Sequence, residues 1–328
     1  MEHGLPSPLV PKSPALFRVP DGHYTSDLLT GGQRMKILSG DWTPLAADAS
    51  ARRYFKGTFE GREAILADFG EDEDGLNRFV GIRALFAEHG VSVPEIFLAD
   101  PAHNRLVEEF VPGWPLSKGR WTGSLLRELL AVAARISGIT EWPEGLDLLS
   151  LDEPRLRFEL AFFRMHFLEE YLNARVPDGL LKGLDALAEE VASFPTSLAH
   201  RDFHSENLLA RPGGGPVVID FQDAMLAPRA YDAASLAVDP YRSQNPRISA
   251  GFRDVWLRAP GASPKEFDQT ALQRSLKALG TFGYQVTRRK RARYMRFMAP
   301  QARRVTDLLD SAPLPLDELR PLFEDLSG

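Results

Sequence analysis

Residues 198–224 read LAHRDFHSENLLARPGGGPVVIDFQDA, and this stretch is the most informative part of the chain. Asp202 lies on a predicted loop, Asn207 follows five residues later, and Asp220 comes directly after a run of apolar residues. Apolar segments on both sides of Gly213–Gly215 predict a β-hairpin, which would bring the three polar side chains to one point. A carboxylate, an amide and a second carboxylate that converge are what phosphoryl transfer requires.

The three side chains have different predicted roles. Asp202 orients an acceptor hydroxyl and takes its proton as the new bond forms, whereas Asn207 and Asp220 ligate Mg²⁺ that bridges the phosphates of ATP. The order H-R-D-x-x-x-x-N, followed by an Asp 13 residues after the Asn, is a specific signal. The competing interpretation is a chance polar loop beside a buried hairpin.

His200–Asn207 and Ile219-Asp220-Phe221 resemble the aminoglycoside-phosphotransferase-like kinases, relatives of protein kinases, over about residues 41–310. A narrower resemblance rests on five segments: DASARRYF, HRDFHSENLL, IDFQDA, PRAYDAASL and LQRSLKALGTFGY. These segments are similar to those of the anomeric sugar kinases of bacterial cell-wall recycling. That group phosphorylates the C1 hydroxyl of N-acetylmuramate and N-acetylglucosamine.

The resemblance implies an α+β, two-lobed protein-kinase-like fold, with a small antiparallel-sheet N-lobe and a larger, mostly helical C-lobe. The expected division is a partly irregular, proline-rich extension over residues 1–40, a nucleotide-binding N-lobe over 41–112 and a catalytic, substrate-binding C-lobe over 113–328. Residue patterns predict strands over 51–59 and 62–69 and a helix over 75–90. Further helices are predicted over 123–138, 153–173, 178–193, 264–283, 291–310 and 316–325.

The sequence departs from the kinase pattern in the expected nucleotide-binding lobe. The third strand of protein kinases carries a phosphate-binding Lys, but residues 64–68 read AILAD, and the preceding loop is not rich in glycine. Arg52, Arg53 or Lys56 could supply the missing cation, and Ser50 belongs to the same loop. A surface ion pair is the alternative role for Arg53.

By the same resemblance, Glu109 and Val111 occupy the hinge between the lobes, where their backbone would meet the adenine edge of ATP. An ordinary edge strand is the plainer interpretation of this segment.

His204, Asp223 and Arg242 are candidates for substrate contact or for ordering the site. Each of them also has a purely structural role as the alternative interpretation: a loop hydrogen bond for His204, loop ordering for Asp223 and a surface salt bridge for Arg242. His200 is expected to fix the catalytic loop, and the acid of Tyr231-Asp232 to brace it from the next helix.

Composition excludes several classes of protein. The 328 residues contain no cysteine, which removes disulfide scaffolds, zinc-thiolate sites, iron–sulfur clusters and thiol nucleophiles. A formal net charge of −6 argues against a protein that coats nucleic acid, so the basic run at 288–296 is read as a solvated face or the flank of an anionic substrate site. The sequence shows no membrane-spanning run and no secretory signal, and a cytoplasmic location is expected.

Three functional hypotheses follow. The first is an ATP- and Mg²⁺-dependent kinase for a small hydroxylated substrate, with the anomeric hydroxyl of an N-acetylated amino sugar as acceptor, and with no nucleic-acid or membrane partner. The second is a phosphotransferase for an aminoglycoside, a choline-like compound or another small alcohol. The third is a non-catalytic nucleotide-binding module, which the missing lysine favours.

Overall fold

The computed structural model describes residues 41–45, 52–242, 246–312, 314–324 and 326. The predicted extension over residues 1–40 lies outside the described residues, as does Ser50.

An antiparallel sheet of five strands opens the described chain, in the order β1-β2-β3-β5-β4. Its strands are β1 (Thr43–Pro44), β2 (Arg53–Phe59), β3 (Arg62–Asp68), β4 (Ile96–Asp100) and β5 (Arg105–Glu109). The predicted strand pair is confirmed: β2 and β3 are joined at Glu60 and Gly61, which both have positive φ, as a tight hairpin turn requires.

Helix α1 (Glu73–Glu88) covers the inner face of this sheet, close to the helix predicted over 75–90. Its apolar side chains recur at helical spacing, and Phe79, Ile82 and Phe86 are almost fully buried. Phe79 and Phe86 pack against Phe221, which follows the predicted hairpin, with ring centroids 4.8 and 6.0 Å apart. The helix therefore connects the small sheet directly to the segment that carries Asp220.

The chain leaves the sheet after β5 through Val111, Pro112 and Gly113 and then forms β6 (Trp114–Pro115). Gly113 has φ of +152°, and a Cβ at this position would lie 2.0 Å from the carbonyl oxygen of Ala210. Ala210 belongs to β8 (Leu208–Ala210), the strand with which β6 pairs. Only glycine therefore lets the crossing segment lie this close to the hairpin.

Gly113→Ala is expected to destabilise the protein by about 2–5 kcal/mol, since it adds both backbone strain and a clash with backbone. Urea unfolding at neutral pH measures the change. Gly61→Ala is the matched control, because Gly61 also has positive φ (+79°) but nothing lies within 4 Å of its Cβ position. Equal losses for the two variants would contradict the close approach to Ala210.

The rest of the described chain is mostly helical. Its helices are α2 (Gly123–Ser137), α3 (Glu153–Phe163), α4 (Asp178–Ala192), α5 (Tyr231–Ala237), α6 (Pro246–Trp256), α7 (Pro264–Thr287), α8 (Met295–Leu309) and α9 (Leu319–Glu324). Between them lie β7 (Thr196–Ala199), β8 (Leu208–Ala210), β9 (Pro216–Val218) and β10 (Met225–Pro228). A second core, with Phe163, Phe167 and Phe282 at its centre, lies among α3, α4, α7 and α8.

Two helix predictions need correction. The predicted helix over 153–173 ends as α-helix at Phe163 and continues as a π-helical turn over Arg164–Glu169, because the carbonyls of Met165 and Phe167 accept bonds from residues five positions later. Helix α6 was not predicted, since Pro246 and Gly251 weaken its helical signal. Among the described residues, no helix is both long and apolar enough to cross a membrane.

Candidate active site

Asp202 and Asn207 lie on the loop between β7 and β8, and Asp220 follows β9, the second strand of the hairpin. Asn207 Nδ2 donates a hydrogen bond of 3.0 Å to the carbonyl oxygen of Asp202 and lies 3.4 Å from Asp220 Oδ2. The backbone N–H of Ile219 donates to the carbonyl of Asn207 at 3.0 Å. The hairpin therefore brings the three predicted side chains together.

A buried aspartate holds the catalytic loop from behind. Asp232, on α5, accepts hydrogen bonds from the backbone N–H groups of His200 and Arg201 at 2.7 and 3.2 Å. His200 Nε2 lies 3.0 Å from the carbonyl oxygen of Ile219, which ties the loop to the hairpin. Arg201 has φ of +78°, a conformation that costs free energy unless the surroundings impose it. The bracing roles expected for His200 and Asp232 are confirmed.

The turn after β9 is held in a second strained conformation. Asp220 has φ of +60°, and its Oδ1 accepts a bond of 2.8 Å from Gln222 Nε2. Arg78 of α1 donates to the carbonyls of Gln222 and Ala224 at 2.6 and 2.7 Å. The same Gln222 Nε2 also lies 3.4 Å from Asp223 Oδ2. Asp223 is therefore placed to order this turn.

Asp202 is surrounded by cations. Its Oδ1 lies 3.2 Å from Lys277 Nζ and 3.5 Å from Arg274 Nη2, both on α7. Partial burial would by itself raise the pKa of Asp202, but the positive charges of Lys277, Arg274 and Arg201 outweigh it. The pKa of this carboxyl is thus held well below its usual range, and the side chain is an anion at any physiological pH.

Arg274 and Lys277 are the functional residues that the sequence analysis missed. They lie more than 70 residues after Asp202 in the chain, so no local pattern joins them to it. Their spacing of three residues places both on one face of α7. Within the segment LQRSLKALGTFGY, this spacing is the one local signal that groups the two cations. The spacing does not show which face of the helix meets the catalytic loop.

His204 and Arg242 have different surroundings. The His204 ring lies 4.9 Å from the Tyr241 ring, and burial lowers its pKa to about 3, so the imidazole is neutral at physiological pH. Arg242 donates to the carbonyls of Leu116 and Gly119 at 2.9 and 2.8 Å and stacks over Trp121. Arg242 is therefore placed to stabilise the segment between β6 and α2, while His204 faces the cleft described next.

A cleft of about 560 Å³ opens in front of Asp202. One wall carries the rings of Tyr241, Phe282, Tyr294 and Phe297. The charged residues that line the cleft are Arg201, Asp202, Glu206, Asp220, Arg274, Lys277, Arg293 and Arg296. Basic side chains outnumber acidic ones in the lining of the cleft, although the whole chain carries a net charge of −6.

Asn207 and Asp220 fit a divalent cation. Because Nδ2 of Asn207 is engaged by the Asp202 carbonyl, its Oδ1 is the atom left to ligate a metal next to the exposed Asp220 carboxylate. Among the described residues no group of three His, Cys, Asp or Glu side chains could form a cage. Magnesium commonly binds to one or two protein side chains and completes its shell with substrate phosphates and water, so this sparse set suits it.

The sequence model of the phosphotransferase enzyme family (APH) matches residues 41–273 of this chain. The chain belongs to this family. The match includes the small sheet, the catalytic loop and the helices up to the middle of α7. The predicted family and enzyme class are therefore confirmed: the chain is a kinase-type phosphotransferase.

Curated relatives of this phosphotransferase align with it over most of its length. The N-acetylmuramate/N-acetylglucosamine kinase of Pseudomonas aeruginosa is 28% identical over 287 residues, which cover 79% of this chain and 81% of the relative. The protein of the same name from Neisseria meningitidis is 26% identical over 306 residues, or 86% of this chain and 89% of the relative. An ethanolamine kinase of Plasmodium vivax superposes with a TM-score of 0.62 over 88% of each chain, at 12% identity. This likeness confirms the two-lobed α+β fold.

The nucleotide-binding residues expected from the sequence are only partly assembled in the phosphotransferase. Arg53 is paired with Asp68 at 2.8 Å, its cross-strand partner, and 67% of its side chain is exposed. The side chain of Arg52 is 15% exposed, lies over the Phe69 ring and is 3.9 Å from the carboxylate of Asp72.

The other candidates lie on the interior strands β2 and β5 or directly after β5, so the segment at Glu109 is not an edge strand. Lys56 is engaged by Glu63 at 2.8 Å and lies over the Phe110 ring. Glu109 ends β5, and its Oε1 accepts a bond of 2.6 Å from Arg211. Val111 is buried in the crossing segment. The structure thus places Glu109 and Val111 where the chain leaves the sheet, as the hinge interpretation expects.

Proposed function

We propose that this phosphotransferase is an ATP- and Mg²⁺-dependent kinase for an N-acetylated amino sugar, with the anomeric hydroxyl as acceptor. The observation that carries the proposal is the cleft: Asp202 faces a space lined by aromatic rings and cations. The curated relatives support it, because they carry the name N-acetylmuramate/N-acetylglucosamine kinase and align over most of both chains.

The charge of the cleft favours a neutral or anionic acceptor over a cationic one. Aminoglycosides and choline-like compounds carry positive charge, and a site for them needs an excess of carboxylates. Here Arg293 and Arg296 stand at the rim, and Arg274 and Lys277 surround Asp202. The aromatic wall suits the apolar face of a sugar ring and the methyl of an acetyl group.

The electrostatics of Asp202 also suit an anomeric hydroxyl. A carboxylate whose pKa is strongly lowered is a weak base, so it accepts a proton only late, when the oxygen–phosphorus bond has largely formed. The anomeric hydroxyl is more acidic than an ordinary alcohol, because the ring oxygen withdraws charge from C1. A weak base that mainly orients the hydroxyl is therefore sufficient for this acceptor.

The donor side of the site is proposed to use residues of the catalytic loop, the hairpin and the small lobe. Asn207 and Asp220 would hold Mg²⁺, which neutralises charge on the phosphates when bound. Arg52, Arg53 and Ser50 remain the proposed phosphate contacts from the small lobe, and Arg53 would first have to leave Asp68. The backbone of Glu109 and Val111 would meet the adenine edge.

A panel of acceptors tests the proposal. Release of ADP from ATP and Mg²⁺ is measured with N-acetylmuramate, N-acetylglucosamine, their 1-O-methyl glycosides, kanamycin and choline. We expect turnover with the two free sugars only, and loss of turnover when EDTA is added. Turnover with the 1-O-methyl glycosides would exclude the anomeric hydroxyl, and turnover with kanamycin or choline alone would overturn the sugar assignment. Absence of nucleotide binding by calorimetry would favour the non-catalytic alternative.

Arg296 is expected to distinguish the two sugars. Its guanidinium stacks over Phe297 at 4.6 Å at the rim of the cleft, and N-acetylmuramate carries a carboxylate that N-acetylglucosamine lacks. Arg296→Ser should raise KM for N-acetylmuramate about tenfold and leave KM for N-acetylglucosamine within about twofold, since a charge-assisted hydrogen bond is lost. Arg303→Ser is the control, because Arg303 is exposed on the same helix outside the cleft. Equal effects on both sugars would remove this role.

A further inference from the structure

Lys277 lies between two carboxylates at the base of the cleft. Its Nζ is 3.2 Å from Asp202 Oδ1 and 3.5 Å from Glu159 Oε1, and only 17% of its side chain is exposed. Glu159 projects from α3 and Lys277 from α7, so the contact joins two helices behind the catalytic loop. Surface ion pairing does not explain why this lysine is buried, because desolvation of an ammonium costs free energy.

Glu159 has further partners that fix it in place. Its Oε2 accepts a bond of 2.8 Å from Gln273, and its Oε1 lies 3.4 Å from Arg201. Burial would by itself raise the pKa of Glu159, but the charges of Lys277, Arg201 and Arg274 outweigh it and lower the pKa. Glu159 is therefore a fixed anion that anchors Lys277 from the side away from the cleft.

Arg274 is not equivalent to Lys277. Its guanidinium donates to the hydroxyl of Tyr231 at 3.0 Å and stacks over the ring of the same residue. Those contacts hold Arg274 against α5, with its Nη2 at 3.5 Å from Asp202. An ammonium, in contrast, has three N–H donors on one rotatable centre. Lys277 donates one of them to Asp202 and forms an ion pair with Glu159 at 3.5 Å, so a further donor is left for a ligand in the cleft that Lys277 lines.

Phosphoryl transfer needs positive charge next to the phosphoryl group that is transferred. The charge of the transferring group is spread over its equatorial oxygens, and fixed cations that meet these oxygens lower the barrier. Strand β3 reads REAILAD and offers no lysine for the phosphates, while Arg53 is paired with Asp68. Lys277 is a buried cation in contact with the very carboxylate that faces the acceptor.

We propose that Lys277 is a catalytic residue of this phosphotransferase, one that contacts an oxygen of the phosphoryl group during transfer while it orients Asp202. The inference rests on the proposed function for the direction of transfer. In that step the acceptor oxygen forms a bond to the γ-phosphorus, and the bond from this phosphorus to the bridging oxygen breaks. The electron pair of the broken bond goes to ADP, and the acceptor proton goes to Asp202 and then to solvent. Lys277 keeps its proton throughout.

Lys277→Met tests the charge, because methionine has nearly the same length and no ammonium. We expect kcat to fall about 10²–10³-fold, as for loss of one transition-state donor, while KM for ATP and for the acceptor changes less than about threefold. Lys265→Met is the matched control: Lys265 is exposed on the same helix and pairs with Glu190 on the surface. A kcat of Lys277→Met within about threefold of the wild type, or a loss confined to KM, would overturn the proposal.

Chemical rescue separates catalysis from structural support. Lys277→Ala with added ethylammonium should regain activity at least about tenfold, because the small cation can occupy the space of the lost side chain. Lys277→Arg, which keeps the charge, should fold like the wild type and retain more activity than Lys277→Met. Failure of the amine to restore activity in a folded Lys277→Ala protein, judged by circular dichroism and Tm, counts against the proposal.

The test remains informative if the acceptor assignment is wrong. The slow hydrolysis of ATP without acceptor uses the same phosphoryl group, with water as the nucleophile, so Lys277→Met should lower this rate as well. If no sugar is phosphorylated but hydrolysis falls in Lys277→Met and not in Lys265→Met, the sugar proposal fails and the role of Lys277 stands. If sugars are phosphorylated equally by both variants, the role of Lys277 fails and the sugar proposal stands.

Discussion

Asp202→Asn is expected to lower kcat about 10²–10⁴-fold, the range in which a positioned acid–base group contributes. The amide keeps the shape of the side chain but can neither take the acceptor proton nor balance Lys277 and Arg274, which lie 3.2 and 3.5 Å away. Loss of the anion leaves more positive charge at the base of the cleft. The affinity for ATP and Mg²⁺ should therefore stay the same or increase. Single-turnover assays and calorimetry measure the two quantities.

The matched control for this variant is Asp254→Asn, since Asp254 is exposed on α6 and lies outside the cleft. Its kcat and its affinity for ATP should match those of the wild type. Turnover of Asp202→Asn within about threefold of the wild type would refute the catalytic role of Asp202. A parallel loss of nucleotide affinity would instead assign Asp202 to the donor side of the site.

Glu108→Gln is expected to stabilise the protein at alkaline pH. Glu108 lies on β5 next to the hinge, is 8% exposed, and its Oε2 has no hydrogen-bond partner among the described residues. Burial raises the pKa of Glu108 to about 8 from the usual 4.5, and the charge of Arg83 opposes this only in part. The carboxyl is therefore protonated in the folded protein at neutral pH, whereas it is ionised in the unfolded chain.

The sign of the pH effect follows from this difference. Between pH 4.5 and about 8 the unfolded chain releases the proton and the folded protein keeps it, so stability falls as pH rises and levels off above pH 8. With about 1.4 kcal/mol for each pKa unit, the total loss is on the order of 5 kcal/mol. Glutamine does not titrate, so the advantage of the variant should grow with pH by up to this amount.

Urea unfolding at pH 5.5, 7 and 9 measures the free energy of unfolding of both proteins. Glu88→Gln serves as control, because Glu88 is exposed at the end of α1. Its difference from the wild type should stay within about 0.5 kcal/mol at all three values. Parallel curves for the wild type and Glu108→Gln would show that Glu108 is already ionised in the folded protein.

Local signals predicted the elements that are close in the chain. The catalytic loop and the hairpin span only residues 198–224, so the convergence of Asp202, Asn207 and Asp220 could be read from spacing, and the structure brings these residues together. The β2–β3 hairpin and α1 were predicted for the same reason, since turn residues and apolar periodicity are properties of short segments. Where periodicity was weakened by proline and glycine, as in α6, the prediction failed.

The sequence by itself determined the catalytic motif, the family and the elements with a strong local pattern, because these depend on neighbours along the chain. Only the tertiary structure decided the electrostatics of the site. Lys277 meets Asp202 across 75 residues and Glu159 across two helices, and Glu108 is buried because α1 and the neighbouring strands close over it. The pKa of a group and the barrier of a reaction depend on burial and on charges from distant parts of the chain. The spacing of residues along a single segment predicts neither the burial nor these charge partners.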